Sequence, residues 1–589
     1  MLIPRPKQEY YANQLRTISG TLSVYAPDSV TAKAAEALRI LAEDIGITVL
    51  PCTQSPQADI QFFCRPNPDN KSEFYDLKIT DDSIHVEFAD FLGGRNAAAT
   101  LLQLIKYQNG EFQLPVCQIQ DWPDCSWRGL MLDTGHWFQR PVKEIKDLIR
   151  QLAMGKYTIF HLHLMDWVTY GLRSEVYPQL WDDTHDQYTL EEMREIVAFA
   201  DSLGLECIPE LEPITHASFI MQHFPELLDD TETLEPNIHA VCVGNDKLFE
   251  IFENLVQELG TVFPSPIVHI GGDELYMYDL AYVDRKDPDP WPTWHDCKRC
   301  KALAKQLNIH MPPVEEVNAR FADKSILEKG VEGFNELYLH TVRRLHDILA
   351  KHGKRLMMWN DVIDTTIPID LPRDILIHFW RIAMPARGPY IGCTMENFLE
   401  AGFEVVNSHY EQTYFGYDYA LAFRPEVPLN EWYPSSYPTM DPKYDNLMLG
   451  GEPCAWGDYP HFRYTMPSAL AFYADRLWNR SPWEYSKEFQ IAATRLLLGP
   501  KVADDYDAFE ALGGYVLPRD VSRDKDAYIR KARTHLITIS AEEVAKSAQV
   551  LHNLEDADTC VGRMAAIYAE CTDWAYDVLT GKEVPPKFD

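Results

Sequence analysis

The stretch Val268–Tyr276, VHIGGDELY, sets two carboxylates side by side directly after two glycines. Adjacent carboxylates repel, so a solvated turn is the plainest explanation. The residues leading in, PIVHI, read instead as a buried strand. A buried strand that ends on Asp273 and Glu274 delivers both carboxyls into a site. An adjacent anion raises its neighbour's pKa, so one of them can hold a proton while the other is ionised. Such a pair suits general acid–base work. Trp359, Trp380 and Trp456 follow other strand-like runs. Indole faces suit stacking on the apolar face of a sugar ring, and with the carboxylates they point to a glycosidase. His161 and His163, two apart on one strand face, leave a metal-dependent hydrolase as the competing reading. The weightier alternative for these two imidazoles is a hydrogen-bonded support role.

These residues need a frame that gathers strand ends. From Trp127 the chain alternates strand and helix patterns. The strand segments are GLMLD, YTIFHLHL, LECIPEL, PIVHIGG, KRLMMW, DILIHFW, FEVVNSH and LMLGGEP. Between them, PVKEIKDLIRQLAMG has Pro141 in its first turn and a glycine stop. TLEEMREIVAFADSLG opens on a Thr189–Glu192 capping box and stops at Gly204. Eight strands alternating with helices predict a (β/α)8 TIM barrel over residues 124–480. A doubly wound open sheet is second, because no glycine-rich phosphate loop follows the first strand. Residues 1–123 read as a small α/β domain, with strands in GTLSVYAP and ADIQFFCRP and a hairpin in YDLKITDDSIHVEF. Residues 481–589 read as a helical C-terminal region that either packs on the barrel or offers a homodimer surface.

In such a barrel the active site lies at the C-terminal ends of the strands. In chain order those ends deliver Asp133 and His136; His161, His163 and Asp166; Glu210, Glu212 and His216; and Asp273 and Glu274. The later four deliver Trp359, Asn360 and Asp361; His378 and Trp380; His409, Tyr410 and Tyr414; and Glu452, Trp456 and Asp458.

Composition narrows the classes. The 589 residues are 46% hydrophobic and 12% aromatic, enough for a large core and against wholesale disorder. A formal charge of −35 argues against nucleic acid and against an anionic membrane surface as partners. No apolar run of about 18 residues is present, so no membrane-spanning helix is expected. The opening MLIPRPKQEYYANQ has no apolar h-region, which sets the expectation of a cytoplasmic protein. The 12 cysteines are scattered and read mostly as small buried hydrophobes. Cys297 and Cys300, in WHDCKRC, have a spacing that suits zinc or redox chemistry. With no second such pair and only His295 close by, the expectation is two free thiols in a loop. No cofactor and no catalytic metal are expected.

The motifs together resemble glycoside hydrolase family 20, the β-N-acetylhexosaminidases. HIGGDE is similar to the family's central H-x-G-G-D-E. RGLMLDTGHWF resembles its first-strand motif, FHLHLMD its second, IPELEPITHA its third and GGEPCAWGDY its eighth. The resemblance runs from about Trp127 to Asp458, and the region before it is similar to the small domain that often precedes this barrel. It implies an exo-acting, retaining enzyme that removes terminal β-linked GlcNAc or GalNAc by substrate assistance. The sugar's own acetamido oxygen is then the nucleophile, an exception among retaining glycosidases. By resemblance Glu274 is the acid and later the base. Asp273, ionised, steadies the acetamido group and the oxazolinium. Tyr414, with Tyr410 as its substitute, bonds the acetamido oxygen, and Trp359, Trp380 and Trp456 form the walls. Arg128, His136, Asp166 and Asp458 fall among the sugar-binding positions, and His216 and Glu212 support the acid.

The departures lie in one half of the site. His136 stands where the family has an arginine, Trp167 where it has an acid, Asp458 where it has glutamate, and Gly416 where it has Asn or Asp. His136 is shorter than arginine, and at neutral pH a histidine is often uncharged. The grip on the 3-, 4- and 6-hydroxyls is therefore altered, while the acetamido half is intact. A carbohydrate-binding protein that has lost turnover is the remaining alternative from another class.

Overall fold

The computed structural model describes residues 1–582 apart from 68, 137–138, 276–292, 323–331, 364, 366–367, 382–393, 416–441, 457–461, 481–485 and 503–539. Eight parallel strands close on themselves: Trp127–Asp133, Ile159–His163, Glu206–Glu210, Ile267–His269, Arg355–Trp359, Leu376–Phe379, Glu404–Asn407 and Met448–Gly451. Each pairs with the next, and the eighth returns to the first through Gly450–Trp127 and Gly451–Arg128. All eight strand segments read from the sequence form, and the closed parallel barrel is the expected fold. The strands are buried on both faces, which is why they read as continuous apolar runs rather than alternating ones.

The crossover helices follow local rules. In Leu190–Ser202 the Thr189 hydroxyl accepts from the Glu192 amide at 3.1 Å, and Glu192 Oε2 accepts from the Thr189 amide at 2.8 Å. The helix Val142–Met154 lies on the barrel with Ile145, Leu148, Ile149 and Leu152 inward, the i, i+3, i+4, i+7 stripe.

The N-terminal sheet runs in space from Gln8–Ile18 through Glu111–Asp121, Tyr75–Ile79, Ile84–Phe88, Ile60–Cys64 and Thr21–Tyr25 to Thr48–Cys52. Helices Ser29–Glu43 and Phe91–Leu104 cover it. This sheet meets the barrel through buried ion pairs. Lys156 Nζ lies 2.9 Å from Asp121 Oδ2 and donates to Tyr75 Oη at 2.9 Å. Arg128 pairs with Glu73 and donates through Nε to the Lys156 carbonyl at 2.9 Å. Arg128 is 1% exposed and stands at the beginning of its strand, so its expected contact with substrate is corrected: it joins the two sheets at the opposite end of the barrel.

The described C-terminal helices include Lys487–Leu498, Ala541–Leu554 and Cys560–Leu579. Cys560–Leu579 packs against the other two and meets the barrel's first helix, where Arg563 clasps both oxygens of Asp147. Among the described residues no helix is long and apolar enough to cross a membrane.

Candidate active site

The glycines of HIGGDE are required by geometry. Gly271 and Gly272 hold φ of 55° and 83°, the left-handed region that favours glycine. A Cβ on Gly271 would lie 1.7 Å from Glu212 Oε1, and one on Gly272 would lie 2.6 Å from the Tyr338 hydroxyl. The turn is held by the Gly272 amide donating to Glu212 Oε2 at 3.0 Å and by Tyr338 Oη donating to the Gly272 carbonyl at 2.6 Å. Glu274 itself sits at φ 49° and His216 at φ 50°, strained positions for residues with side chains. Asp361 Oδ2 accepts the Glu274 amide at 3.0 Å, and His239 Nε2 donates to the Glu274 carbonyl at 2.9 Å. Neighbouring loops thus hold the acid's backbone at both its amide and its carbonyl.

The pair stands among few cations. His216 Nε2 is 3.7 Å from Asp273 Oδ2 and 3.6 Å from Glu274 Oε2, and Arg381 Nη1 is 3.8 Å from Glu274 Oε1. Burial, opposed by His216, drives both carboxyls up, Asp273 to about 8; Asp361 and Glu274 add to the rise at Asp273. Glu212 is also raised, by burial and then by Asp273. Both members of the pair are therefore harder to ionise than free carboxyls. Burial alone would lower His216, but Asp166 and then Asp273 more than reverse it, leaving its pKa well above the ordinary imidazole value.

Asp166 is a hub. Its Oδ2 lies 2.8 Å from His163 Nε2 and 3.6 Å from His136 Nε2, and its Oδ1 lies 3.2 Å from His216 Nδ1. His136 is also held by Asp133, through its own Nδ1. Burial opposes its charge, yet Asp133 and Asp166 raise its pKa above the ordinary imidazole value. Trp167 packs edge-on against His136 at 6.2 Å and is 40% exposed, at the rim.

The aromatic residues converge. Trp380 stacks on Tyr414 with centroids 6.0 Å apart and planes at 8°. Tyr414 lies 5.7 Å from Trp456, and Trp456 lies 6.2 Å from Trp359. Trp359 stacks on His378 at 3.9 Å and donates through Nε1 to Glu210 at 2.8 Å. Trp380 Nε1 donates to Asp361 Oδ1 at 2.9 Å. Tyr414 reaches this cluster because the short strand Tyr414–Phe415 pairs with Cys454–Ala455, which continues along the first barrel strand. Tyr410 lies 6.4 Å from Tyr414 and 6.0 Å from Trp380, at the outer side of the same group.

His161 and His163 face carboxylates on both ring nitrogens. His161 lies 2.7 Å from Glu452 and 3.1 Å from Glu210, and His163 lies 2.7 Å from Glu210 and 2.8 Å from Asp166. These contacts fit a hydrogen-bonded support role for the two imidazoles. Asp458 and Gly416 lie outside the described residues. Three participants had no role in the sequence reading. Asp361 was visible as a strand-end acid, Arg381 adjoins Trp380, and His239 sits in a loop with no pattern to mark it.

Comparison with known proteins agrees with this geometry. Residues 125–481 match the catalytic-domain model of glycosyl hydrolase family 20, and residues 1–122 match the model of that family's domain 2. A β-hexosaminidase of Vibrio furnissii is 26% identical over 62% of this chain and 56% of its own length. The β-hexosaminidase subunit alpha of Mus musculus is 25% identical over 71% of this chain and 72% of its own. The chain thus spans little more than half of the first relative. A crystal structure of a GH20 exo β-N-acetylglucosaminidase from Vibrio harveyi, in complex with N-acetylglucosamine, shares the fold with a TM-score of 0.68. It is 23% identical, over 87% of this chain and 77% of that one.

Proposed function

The chain belongs to glycosyl hydrolase family 20, and on that premise we propose that it is a retaining exo-β-N-acetylhexosaminidase acting by substrate assistance on terminal GlcNAc or GalNAc. The observation that carries this reading is the Asp273–Glu274 pair. It is set on a two-glycine turn beside a box of Trp359, Trp380, Trp456 and Tyr414. The box offers apolar walls for an acetamido methyl and a sugar face. The turn offers one carboxyl to each reacting centre.

Glu274 is raised by burial and so keeps the proton that the leaving oxygen needs. Once the aglycone has left, the same carboxylate takes a proton from water. Asp273, hard to ionise in the free pocket, is driven toward the carboxylate as positive charge grows on the oxazolinium, because an adjacent cation favours the charged form. His216 stays cationic and close to both acids, so it limits how far their pKa values climb. Tyr414 supplies a hydroxyl toward the acetamido oxygen. Arg128 is not part of this proposal. Asp166 acts through His216 and His136, and a contact of Asp458 with the sugar belongs to the same proposal.

The test compares chromogenic aryl β-glycosides that carry 2-acetamido with matched glycosides that carry 2-hydroxyl. Turnover of the acetamido substrate alone, together with inhibition by a thiazoline, is expected. Efficient cleavage of the plain glucoside or galactoside, or a trapped sugar ester on a carboxylate, overturns substrate assistance. Binding without turnover of any acetamido substrate overturns the enzyme reading in favour of a lectin-like protein.

A further inference from the structure

Away from the sugar-binding site, Cys297 and Cys300 are not loop thiols. Both are fully buried, and their side chains meet Cys242 and Asp229, which arrive from the loop after the third barrel strand. Cys242 Sγ lies 3.5 Å from Cys297 Sγ and 3.7 Å from Cys300 Sγ, and Cys300 Sγ lies 3.8 Å from Asp229 Oδ1. The four ligand atoms all lie within 4.8 Å of one another. A tetrahedron with zinc–sulfur bonds of about 2.3 Å has sulfur–sulfur edges of about 3.8 Å. The observed spacings are close to those edges, and they are far from a disulfide's roughly 2.05 Å.

The surroundings are built as for a metal. Asp229 is 4% exposed, and among the described residues no lysine or arginine pairs with it. Its second oxygen, Oδ2, accepts from Thr293 Oγ1 at 2.7 Å, which turns Oδ1 toward the sulfurs. Cys297 is the N-cap residue of the helix Lys298–Gln306, so its sulfur stands at the positive end of the helix dipole. A buried carboxylate against three sulfurs calls for a cation, and three thiolates with one carboxylate in tetrahedral array select zinc among the common divalent ions.

We propose that Asp229, Cys242, Cys297 and Cys300 bind one zinc ion that clips the loop after the third strand to the loop after the fourth. Binding displaces the thiol protons to solvent and forms three sulfur–zinc bonds and one oxygen–zinc bond. The clip is structural, with no position left for substrate. Its consequence reaches the catalytic site because the first loop carries His216 and His239, and the second carries Asp273 and Glu274. The same two loops are joined nearby by Lys298 N donating to the Asp230 carbonyl at 2.9 Å. The Asp296 carboxylate also accepts the amides of Glu232, Thr233 and Leu234 at 3.1, 2.8 and 2.7 Å.

The experiment is elemental analysis of the full chain purified from zinc-supplemented cells. About one zinc per chain is expected. Cys242→Ser and Cys297→Ser should each lose most of it, and Cys560→Ser, a buried cysteine outside the cluster, should retain it. Should the serine variants fail to fold, cobalt exchanged into the wild-type protein gives the same answer: thiolate-to-cobalt charge-transfer absorption supports the site. Chelation under native conditions should release zinc in step with the appearance of reactive thiols and lower the melting temperature. A zinc content near zero, stoichiometric iron in its place, full zinc in Cys297→Ser, or zinc release that exposes no thiol overturns the proposal.

Discussion

The two ends of the barrel, where its strands begin and where they finish, bury charge in opposite ways. Where they begin, Arg128 faces Glu73 and Lys156 faces Asp121, each cation matched by a carboxylate and surrounded by further donors and acceptors. At the other end, Glu212, Asp273, Glu274 and Asp361 crowd together with His216 and Arg381 as their near cations. The matched end holds two sheets together. The unmatched end holds protons that its carboxyls would otherwise lose in water. Burial is common to both; partner count decides whether a buried charge acts as a fastener or as a reservoir for acid–base chemistry.

That contrast can be broken first at the unmatched end. Glu274→Gln should lower kcat by roughly 10²–10⁴-fold on substrates with poor leaving groups and by much less on activated aryl glycosides, which need little protonation. Its melting temperature should stay close to the wild type's, since glutamine is nearly isosteric with the protonated acid. Equal losses on both substrate types would remove Glu274 from the acid role. At the matched end the signs exchange. Arg128→Met leaves Glu73 buried without its partner and should cost about 3–5 kcal/mol in urea unfolding. The folded fraction should keep its turnover within about twofold; a large loss of kcat there would show that the two ends are not separable.

A pH series sharpens the comparison further. The Asp273 carboxyl is raised from 3.8 to about 8 on folding. The folded state then holds the proton more tightly than the unfolded chain, so this group's contribution to stability falls as pH rises from about 4 toward 8. Asp273→Asn should therefore melt like the wild type near pH 4 and increasingly above it toward pH 8. A difference that does not change with pH, or that runs the other way, would mean the carboxyl ionises freely in the free pocket. The smallest effect concerns the sugar. His136 is held by Asp133 and Asp166 and offers no forked clamp like that of arginine. The ratio of kcat/KM between gluco and galacto substrates should stay within about a hundredfold, or ~2.7 kcal/mol. A larger ratio would place the discrimination on other residues.

Errors of reading have physical causes. Arg128 lies five residues before Asp133 in one motif, and adjacency in sequence made it look like part of the site. Five residues of strand cover roughly 16 Å, the height of the barrel wall. The strand Gln8–Ile18 went unread because it is an edge strand, exposed along most of its length, with a register shift between Tyr11 and Leu15. It has no apolar alternation to show. Cys242 lies 55 residues from Cys297, so the spacing of WHDCKRC could show only half of the cluster.

By itself the sequence determined the eight strands, the helices with their caps, and which side chains stand at the strand ends. Those follow from local periodicity, from capping chemistry and from the fact that side chains alternate along an extended chain. Only the tertiary structure decided the two carboxylates that hold His136, the reluctance of Asp273 to ionise, the meeting of His239 with the Glu274 carbonyl and the gathering of Asp229 with three cysteines. Each depends on what a distant segment places within about 4 Å and on how much water that approach removes, and neither quantity is written in any local stretch of the chain.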